Sequence, residues 1–235
     1  MRLSLADAGD TVEDANFVES VAEAGLLRLY AFLEWCKEIV ETKETMRAED
    51  SPIDTYADKV FDSEMNKLII ETDKHYNAMM YKEALRSGFF EYQSIRDKYR
   101  ELTNGPMHAG LIFKFIKTQI VMLSPICPHI CEHIWMNLLG NKTSILKTGW
   151  PSTGSVDEDL VTSSCYLMDT AHEFRNRYKN FISAKTKGGK KAPKDAPPAE
   201  IPEVNKATIF VAKTFPQWQQ IILDTLKAMY SVSLI

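Results

Sequence analysis

Three residues in the middle of the chain could hold a metal ion. His129, Glu132 and His133 have the H-x-x-E-H spacing of inverted zinc proteases. On a helix, positions four apart share a face, so both imidazoles could ligate one zinc ion and lower the pKa of a bound water. A catalytic zinc also needs a third protein ligand, and only Glu173 lies on a predicted helix at a plausible distance. The spacing leaves a zinc hydrolase open as one interpretation.

The same segment can instead be a structural corner between two helices. Pro125 and Pro128 interrupt a helical run, and proline is tolerated in the first turn of a new helix. The side chains of His129 and Glu132 would then hold the corner by hydrogen bonds. We therefore predict a structural corner made of Pro125, Pro128, His129, Glu132 and Trp135, and no metal site.

Helical periodicity dominates the first 180 residues, so the chain is predicted to be mainly α. The clearest pattern lies within residues 81–102, where apolar residues recur at three- and four-residue steps and so share one face. Residues 17–40 are apolar on two faces, which predicts a helix buried between neighbours. Another helix, starting near Leu111 and interrupted by the prolines, should end near Leu139, where Gly140 suits a C-cap. Further helices are expected at about residues 61–80 and 157–181.

Charge is distributed unevenly along the chain. The net charge of −4 over 235 residues does not mark the whole chain as a nucleic-acid binder, and 45% hydrophobic residues suffice for a core. Residues 1–64 contain 16 acidic and 6 basic side chains, whereas residues 175–194 contain 8 basic and no acidic ones. This asymmetry indicates either a charged partner or a solvated linker.

The remaining compositional features favour an intracellular protein. The four cysteines have no framework spacing and follow no secretory signal, so reduced thiols are expected. The most apolar run, residues 111–126, contains charged residues and is too short to span a membrane. No membrane association is predicted.

Several blocks resemble leucyl-tRNA synthetases of the eukaryotic and archaeal type. Residues 3–17 are similar to the segment that follows the KMSKS loop in that family, and residues 81–101 to a helix of its anticodon-binding bundle. Residues 123–135 match the class I pattern L-x-P-x-x-P-H-x-x-E-x-x-W, and Trp150-Pro151 matches the exit from the bundle. The resemblance implies a class I synthetase anticodon-binding helical bundle, a leucine-accepting tRNA as partner, other synthetases in a complex as further partners, and a cytoplasmic location.

The parts of that family that carry out the chemistry are not found in the sequence. Met107-His-Ala-Gly110 lacks the second histidine of a HIGH motif, and there is neither a KMSKS loop nor an editing domain. The resemblance therefore implies no cofactor in this chain, with ATP and magnesium bound by the parent's catalytic domain. The chain is expected to be inactive alone.

Five segments are predicted from these patterns. Residues 1–16 would be a connector, 17–150 the helical bundle and 151–182 a bundle-associated helix. Residues 183–205 are rich in lysine and proline and predict a disordered linker. Residues 206–235 would begin a truncated C-terminal domain, with a strand at 208–213 and a helix opened by Phe215-Pro216.

Two basic groups are candidates for tRNA contact, because phosphate contacts supply most of the affinity for nucleic acid. One is the cluster Lys82, Arg86, Arg96 and Arg100 beside the apolar stripe, and the other is Arg175, Arg177 and Lys179. A solvated face with internal ion pairs explains either group equally well. A tRNA-binding module is thus favoured, and a zinc hydrolase and a helical protein-interaction fragment remain alternatives.

Overall fold

A computed structural model describes residues 1–9, 16–187, 206, 208–211 and 214–232. These residues are largely helical, which confirms the mainly α class. The helices are α1 (Arg2–Ala8), α2 (Glu19–Glu41), α3 (Tyr56–Asn77), α4 (Tyr81–Leu85), α5 (Tyr92–Leu102), α6 (Ala109–Leu123), α7 (Pro128–His133), α8 (Glu158–Lys187) and α9 (Gln217–Val232). The chain forms two compact units, Met1–Ala171 and His172–Ile235, which divide within α8.

An aromatic core holds the first unit together. The ring of Phe61 on α3 stacks on Tyr99 of α5 at 4.4 Å between centroids, and the ring of Tyr92 stacks on Phe115 of α6 at 4.6 Å. Phe32 of α2 meets Phe89 edge to face at 6.1 Å. Each of these rings is buried, and such pairs add about 0.5–1.5 kcal/mol beyond the burial of area. The packing fixes four helices around one centre.

A π-helical turn, Arg86–Glu91, joins α4 to α5, and a second, Ile134–Leu138, follows α7. Two further short turns are 3₁₀-helical, Lys43–Thr45 and Ile145–Lys147. The predicted helix over residues 81–102 is therefore one helix with an extra residue in its middle. The buried stripe Leu85, Phe89, Tyr92, Ile95 and Tyr99 is confirmed.

Polar side chains begin three of the helices. The Thr55 hydroxyl accepts a hydrogen bond from the backbone N–H of Asp58 at the start of α3, at 3.2 Å. The imidazole of His108 accepts from the N–H of Leu111 at 3.2 Å and so caps α6. The carboxylate of Asp157 accepts from Leu160 at 3.0 Å in the first turn of α8. These caps satisfy N–H groups that a helix cannot satisfy itself.

The prediction that α2 is buried on two faces is wrong for its N-terminal half. Phe32, Cys36 and Ile39 are buried, but the large apolar side chains before them are exposed. Only the C-terminal half of α2 lies against the aromatic core. The exposed side chains are Phe17, Val18, Val21, Leu26, Leu27 and Tyr30.

Both ends of the chain depart from expectation. The predicted connector contains α1, whose Leu3 is buried. The predicted linker begins with helix, since α8 continues to Lys187; residues 188–205 lie outside the described part. The strand predicted at 208–213 is not confirmed, because residues 208–211 pair with no described segment and a strand needs a partner for its backbone groups. The helix after Pro216 is confirmed as α9.

Candidate nucleic-acid interface

The proline segment forms the predicted corner. α6 ends at Leu123, and the amide of Cys127 still donates to the Leu123 carbonyl at 2.9 Å. Pro128 occupies the first turn of α7, where its missing N–H costs no helical hydrogen bond. Pro125 lies in the turn between the two helices and is exposed. The chain thus changes direction without leaving the bundle.

Glu132 and Trp135 fix the segment that follows the corner. A Glu132 carboxylate oxygen accepts a hydrogen bond from the amide of Ile145 at 2.9 Å, at the start of a 3₁₀ turn. The indole N–H of Trp135 donates to the carbonyl of Thr143 at 2.8 Å. The predicted structural role is confirmed for these two residues. His129 is exposed and does not form the predicted contact.

The zinc interpretation gains no support from this geometry. Glu132 is engaged by Ile145, and the Nδ1 atom of His133 lies 2.9 Å from the side-chain nitrogen of Asn137. Nowhere in residues 1–9, 16–187, 206, 208–211 and 214–232 do three or more histidine, cysteine, aspartate or glutamate side chains gather as a metal site. Glu173, the third ligand that the sequence offered, instead bonds Arg177.

A buried ionic network anchors one end of α5. Both oxygens of Asp58 accept from the guanidinium of Arg47, at 2.5 and 2.6 Å, and one also accepts from the hydroxyl of Tyr99 at 2.6 Å. Burial raises the pKa of Asp58, but the hydrogen bonds from Arg47 and Tyr99 outweigh it and hold that pKa below its usual range. The amide of His108 donates in turn to the Tyr99 hydroxyl at 3.0 Å. The loop after α5 is thereby fixed.

A second buried pair ties the middle of α5 to α3. The ammonium of Lys98 donates to a carboxylate oxygen of Glu64, and both side chains are largely shielded from water. Burial raises the pKa of Glu64 despite the favourable contact with Lys98. The sequence suggested that Lys98 would pair with its neighbour Asp97 on the same helix; it pairs across helices instead. α5 is held rigidly and can present its remaining cations in fixed positions.

The basic residues before the π turn lie at the surface. Lys82 is exposed. Arg86 is bonded to Glu83 at 2.7 Å and to Glu91 at 2.9 Å, in pairs that remain open to solvent. Surface pairs of this kind are weak, about 0–1 kcal/mol. A phosphate could therefore compete for Arg86 at little cost.

The basic residues after the π turn are divided. The guanidinium of Arg96 lies 4.6 Å above the ring of Trp35, bonds Asp97 at 2.9 Å, and its side chain is only 17% exposed. Arg100 is 72% exposed and only loosely paired with Asp97, at 3.9 Å. One extra residue in a helix rotates later residues by about 100° relative to an uninterrupted α-helix. The predicted cluster of four is therefore not one surface, and Arg96 belongs to the packing of α2.

Arg100 opens onto a depression of about 500 Å³ between α5 and the start of α8. Lys98, Glu101 and Met168 also line it. The start of α8 is fixed on α3 by a hydrogen bond from the Asp157 amide to the Ser63 hydroxyl at 2.7 Å. Of the four cations predicted on α4 and α5, Arg100 is the one set in a concave surface.

The second basic group lies on the part of α8 that belongs to the second unit. Arg175, Arg177 and Lys179 are all exposed. Arg177 bonds Glu173 four residues earlier, at 2.5 Å, which leaves the pair on the surface. The same stretch contains exposed aromatic rings at 174, 178 and 181, which were not among the residues predicted from the sequence. Their three- and four-residue spacing was a visible signal, but it could not show whether the stripe is buried.

Comparisons with known proteins decide the family. The model of the anticodon-binding domain of tRNA ligases matches residues 58–196. The chain belongs to this family, in the leucine–tRNA ligase branch. It is 50% identical over 99% of its length to the cytoplasmic leucine–tRNA ligase of Pongo abelii, and 38% identical over 98% to that of Saccharomyces cerevisiae. The leucine–tRNA ligase of Aeropyrum pernix is 26% identical over 63% of the chain.

This anticodon-binding domain spans about a fifth of the length of its curated relatives, 19% of the Pongo abelii protein and 20% of the Saccharomyces cerevisiae protein. The resemblance identified from the proline corner, the segment before α2 and Trp150-Pro151 is thus confirmed. Within the described residues, no helix combines the length and apolarity needed to cross a membrane. All four cysteines are free thiols, as the sequence predicts.

Proposed function

We propose that this chain is the tRNA-docking part of a leucine–tRNA ligase and that it positions a leucine-accepting tRNA for aminoacylation by the parent enzyme. The observation that carries the proposal is 50% identity over 99% of the chain to a cytoplasmic leucine–tRNA ligase. The relatives' names extend the proposal to a cytoplasmic location.

The geometry suits binding through the phosphate backbone. α5 is immobilised by the Asp58 and Glu64 networks, so the position of Arg100 is set before the ligand arrives. Preorganised cations lose less entropy on binding than mobile ones. Phosphate contacts fix the register and orientation of a nucleic acid without reading its sequence. Shape and backbone recognition are the proposed mode.

The chemistry of aminoacylation is proposed to lie elsewhere in the parent enzyme. ATP, magnesium and leucine would bind its catalytic domain, and this chain would contribute tRNA affinity and orientation only. Other synthetases are proposed as further partners of the parent. The chain alone should therefore bind tRNA and produce no leucyl-tRNA.

The proposal is tested by neutralising the exposed cations of α4 and α5. Changing Lys82, Arg86 and Arg100 together to Gln should weaken binding of a leucine tRNA transcript and flatten the dependence of log K on log salt. The slope should fall by up to about 0.9 for each phosphate that the variant no longer neutralises. Arg96 is left unchanged because its guanidinium packs on Trp35. Binding would be followed by fluorescence anisotropy at several potassium chloride concentrations.

A matched control separates this surface from a general charge effect. The control removes three positive charges from the acidic part of the chain by changing Lys37, Lys43 and Lys59 to Gln. It should change the salt slope much less. Equal weakening in the two triple variants would mean that net charge alone governs binding, and the proposed surface on α4 and α5 would then be wrong.

A further inference from the structure

The second unit's part of α8 combines exposed aromatic rings with cations. Phe174, Tyr178 and Phe181 are 43%, 49% and 45% exposed. At about 100° per residue, these three rings lie within about 60° of one another around the helix axis. Rings of this size are usually buried when they form a helical stripe. Their exposure makes the stripe a candidate binding surface.

The charges around the stripe have one sign. Arg175 and Lys179 lie along one side of it by helical position, and Arg177 lies along the other. Residues 172–187 contain five basic side chains and one acidic side chain, Glu173, whose carboxylate bonds Arg177. A phosphate backbone would therefore meet positive potential on both edges of the stripe.

We propose that this face of α8 binds unpaired RNA bases by stacking, with Phe174 and Tyr178 as the stacking platforms and Arg175 and Lys179 as phosphate contacts. The inference rests on the proposed function and adds a site and a ligand class to it. Single-strand binding surfaces combine a basic track with aromatic rings, because every base has a π face. From Phe174 to Phe181 the helix rises about 10 Å, which matches about three nucleotides at roughly 3.4 Å each.

An aromatic stripe could also dock a protein, and the choice of substitution distinguishes the two ligands. Changing Phe174 and Tyr178 to Leu keeps the surface apolar but removes the π faces. Base stacking contributes about 5- to 150-fold in affinity for each base, so the double variant should lose at least about fivefold for a short oligouridylate. An abasic chain of the same length has phosphates but no bases, and its weaker binding should be unchanged by the same variant.

The phosphate contacts have a separate readout. Changing Arg175 and Lys179 to Gln should lower the salt slope for both chains, by about 0.7 for each contact on a single strand. The leucine variant should leave that slope unchanged. Tyr166→Leu is the matched control, since Tyr166 is 74% exposed on the same helix but lies about 80° from Phe174. Circular dichroism checks that helix content is equal in all variants.

The outcomes separate this inference from the proposed function. If the wild-type chain binds a leucine tRNA transcript but the leucine double variant binds oligouridylate as tightly as the wild type, the stacking site is wrong and the proposed function stands. If the chain discriminates oligouridylate from the abasic chain through these rings but does not bind the transcript, the proposed function fails and the stacking site stands. A wild-type dimer that Phe174→Asp dissociates would assign the face to a second copy and overturn the inference.

Discussion

Asp58 is an enclosed charge on α3, and its contacts decide how the loops on either side of α5 are held. Its carboxylate accepts from Arg47 and Tyr99. No sequence pattern identified this network, because Arg47 and Tyr99 are far apart along the chain and only tertiary packing brings them together. The motif residues Glu132 and Trp135 were predictable, since their structural role follows from the proline corner itself.

Asp58→Asn should destabilise the fold in a pH-dependent way. The folded-state pKa of Asp58 is depressed, so its stabilising contribution is present above the unfolded pKa near 3.9 and is lost as pH falls through the folded pKa. At pH 7 the variant should lose about 3 kcal/mol or more of unfolding free energy, because Arg47 loses a buried charged partner. Urea titrations between pH 7 and pH 3 measure this; a difference from wild type that stays constant in acid would contradict it.

Arg96 and Arg100 should differ in what their removal changes. Arg96→Gln removes a cation above the Trp35 ring and a bond to Asp97, so it should cost about 1–2 kcal/mol of stability. Arg100→Gln alters an exposed side chain and should stay within about 0.5 kcal/mol, while lowering the salt slope of tRNA binding. Thermal melts and binding isotherms of both variants test the division, and the reverse pattern would assign the phosphate contact to Arg96.

At the scale of elements, the π turn between α4 and α5 lies against α3. The side chains of Thr72 and Ser87 share a hydrogen bond of 2.8 Å there. A Cβ atom added at Gly88 would lie 2.8 Å from the methyl carbon of Thr72, so this position requires the smallest residue. Periodicity predicted the helix but not the turn, because the extra residue leaves the apolar spacing almost unchanged.

Gly88→Ala should therefore destabilise the protein although alanine favours helix. Alanine gains up to about 1 kcal/mol in helix propensity, whereas overpacking costs about 1–3 kcal/mol, so a net loss of about 1 kcal/mol is expected. Thr72→Ser removes the methyl group and keeps the hydroxyl, so it should restore stability in the Gly88→Ala background. Denaturant midpoints of the single and double variants decide this. A double variant no more stable than Gly88→Ala would show that the methyl group is not the obstacle.

α2 shows where sequence prediction of an element's surroundings fails. Its apolar residues predicted burial on two faces, yet Leu26, Leu27 and Tyr30 are exposed. An apolar pattern states which side chains favour burial and not whether a neighbour is present to bury them. The same limit applied to the aromatic stripe of α8, whose spacing was visible in the sequence while its exposure was not.

For the whole molecule, the distribution of charge sets how strongly it can hold a polyanion. The first 64 residues have ten more acidic than basic side chains, 16 against 6, and they oppose association. The fold class and the family could be predicted because the helical periodicity and the proline corner are local in sequence. The binding surface could be predicted only in part, since exposure and pairing of each cation depend on the packed structure.

The most direct measurement of the central claim is the equilibrium binding of a leucine tRNA transcript to the wild-type chain over a series of potassium chloride concentrations. We expect weak binding at moderate salt that strengthens steeply as salt is lowered, because released counterions drive phosphate contacts. The same titration with a duplex DNA of equal phosphate count checks for binding that any polyanion would show. No binding at the lowest salt, or equal binding of transcript and DNA, would contradict a role in docking tRNA.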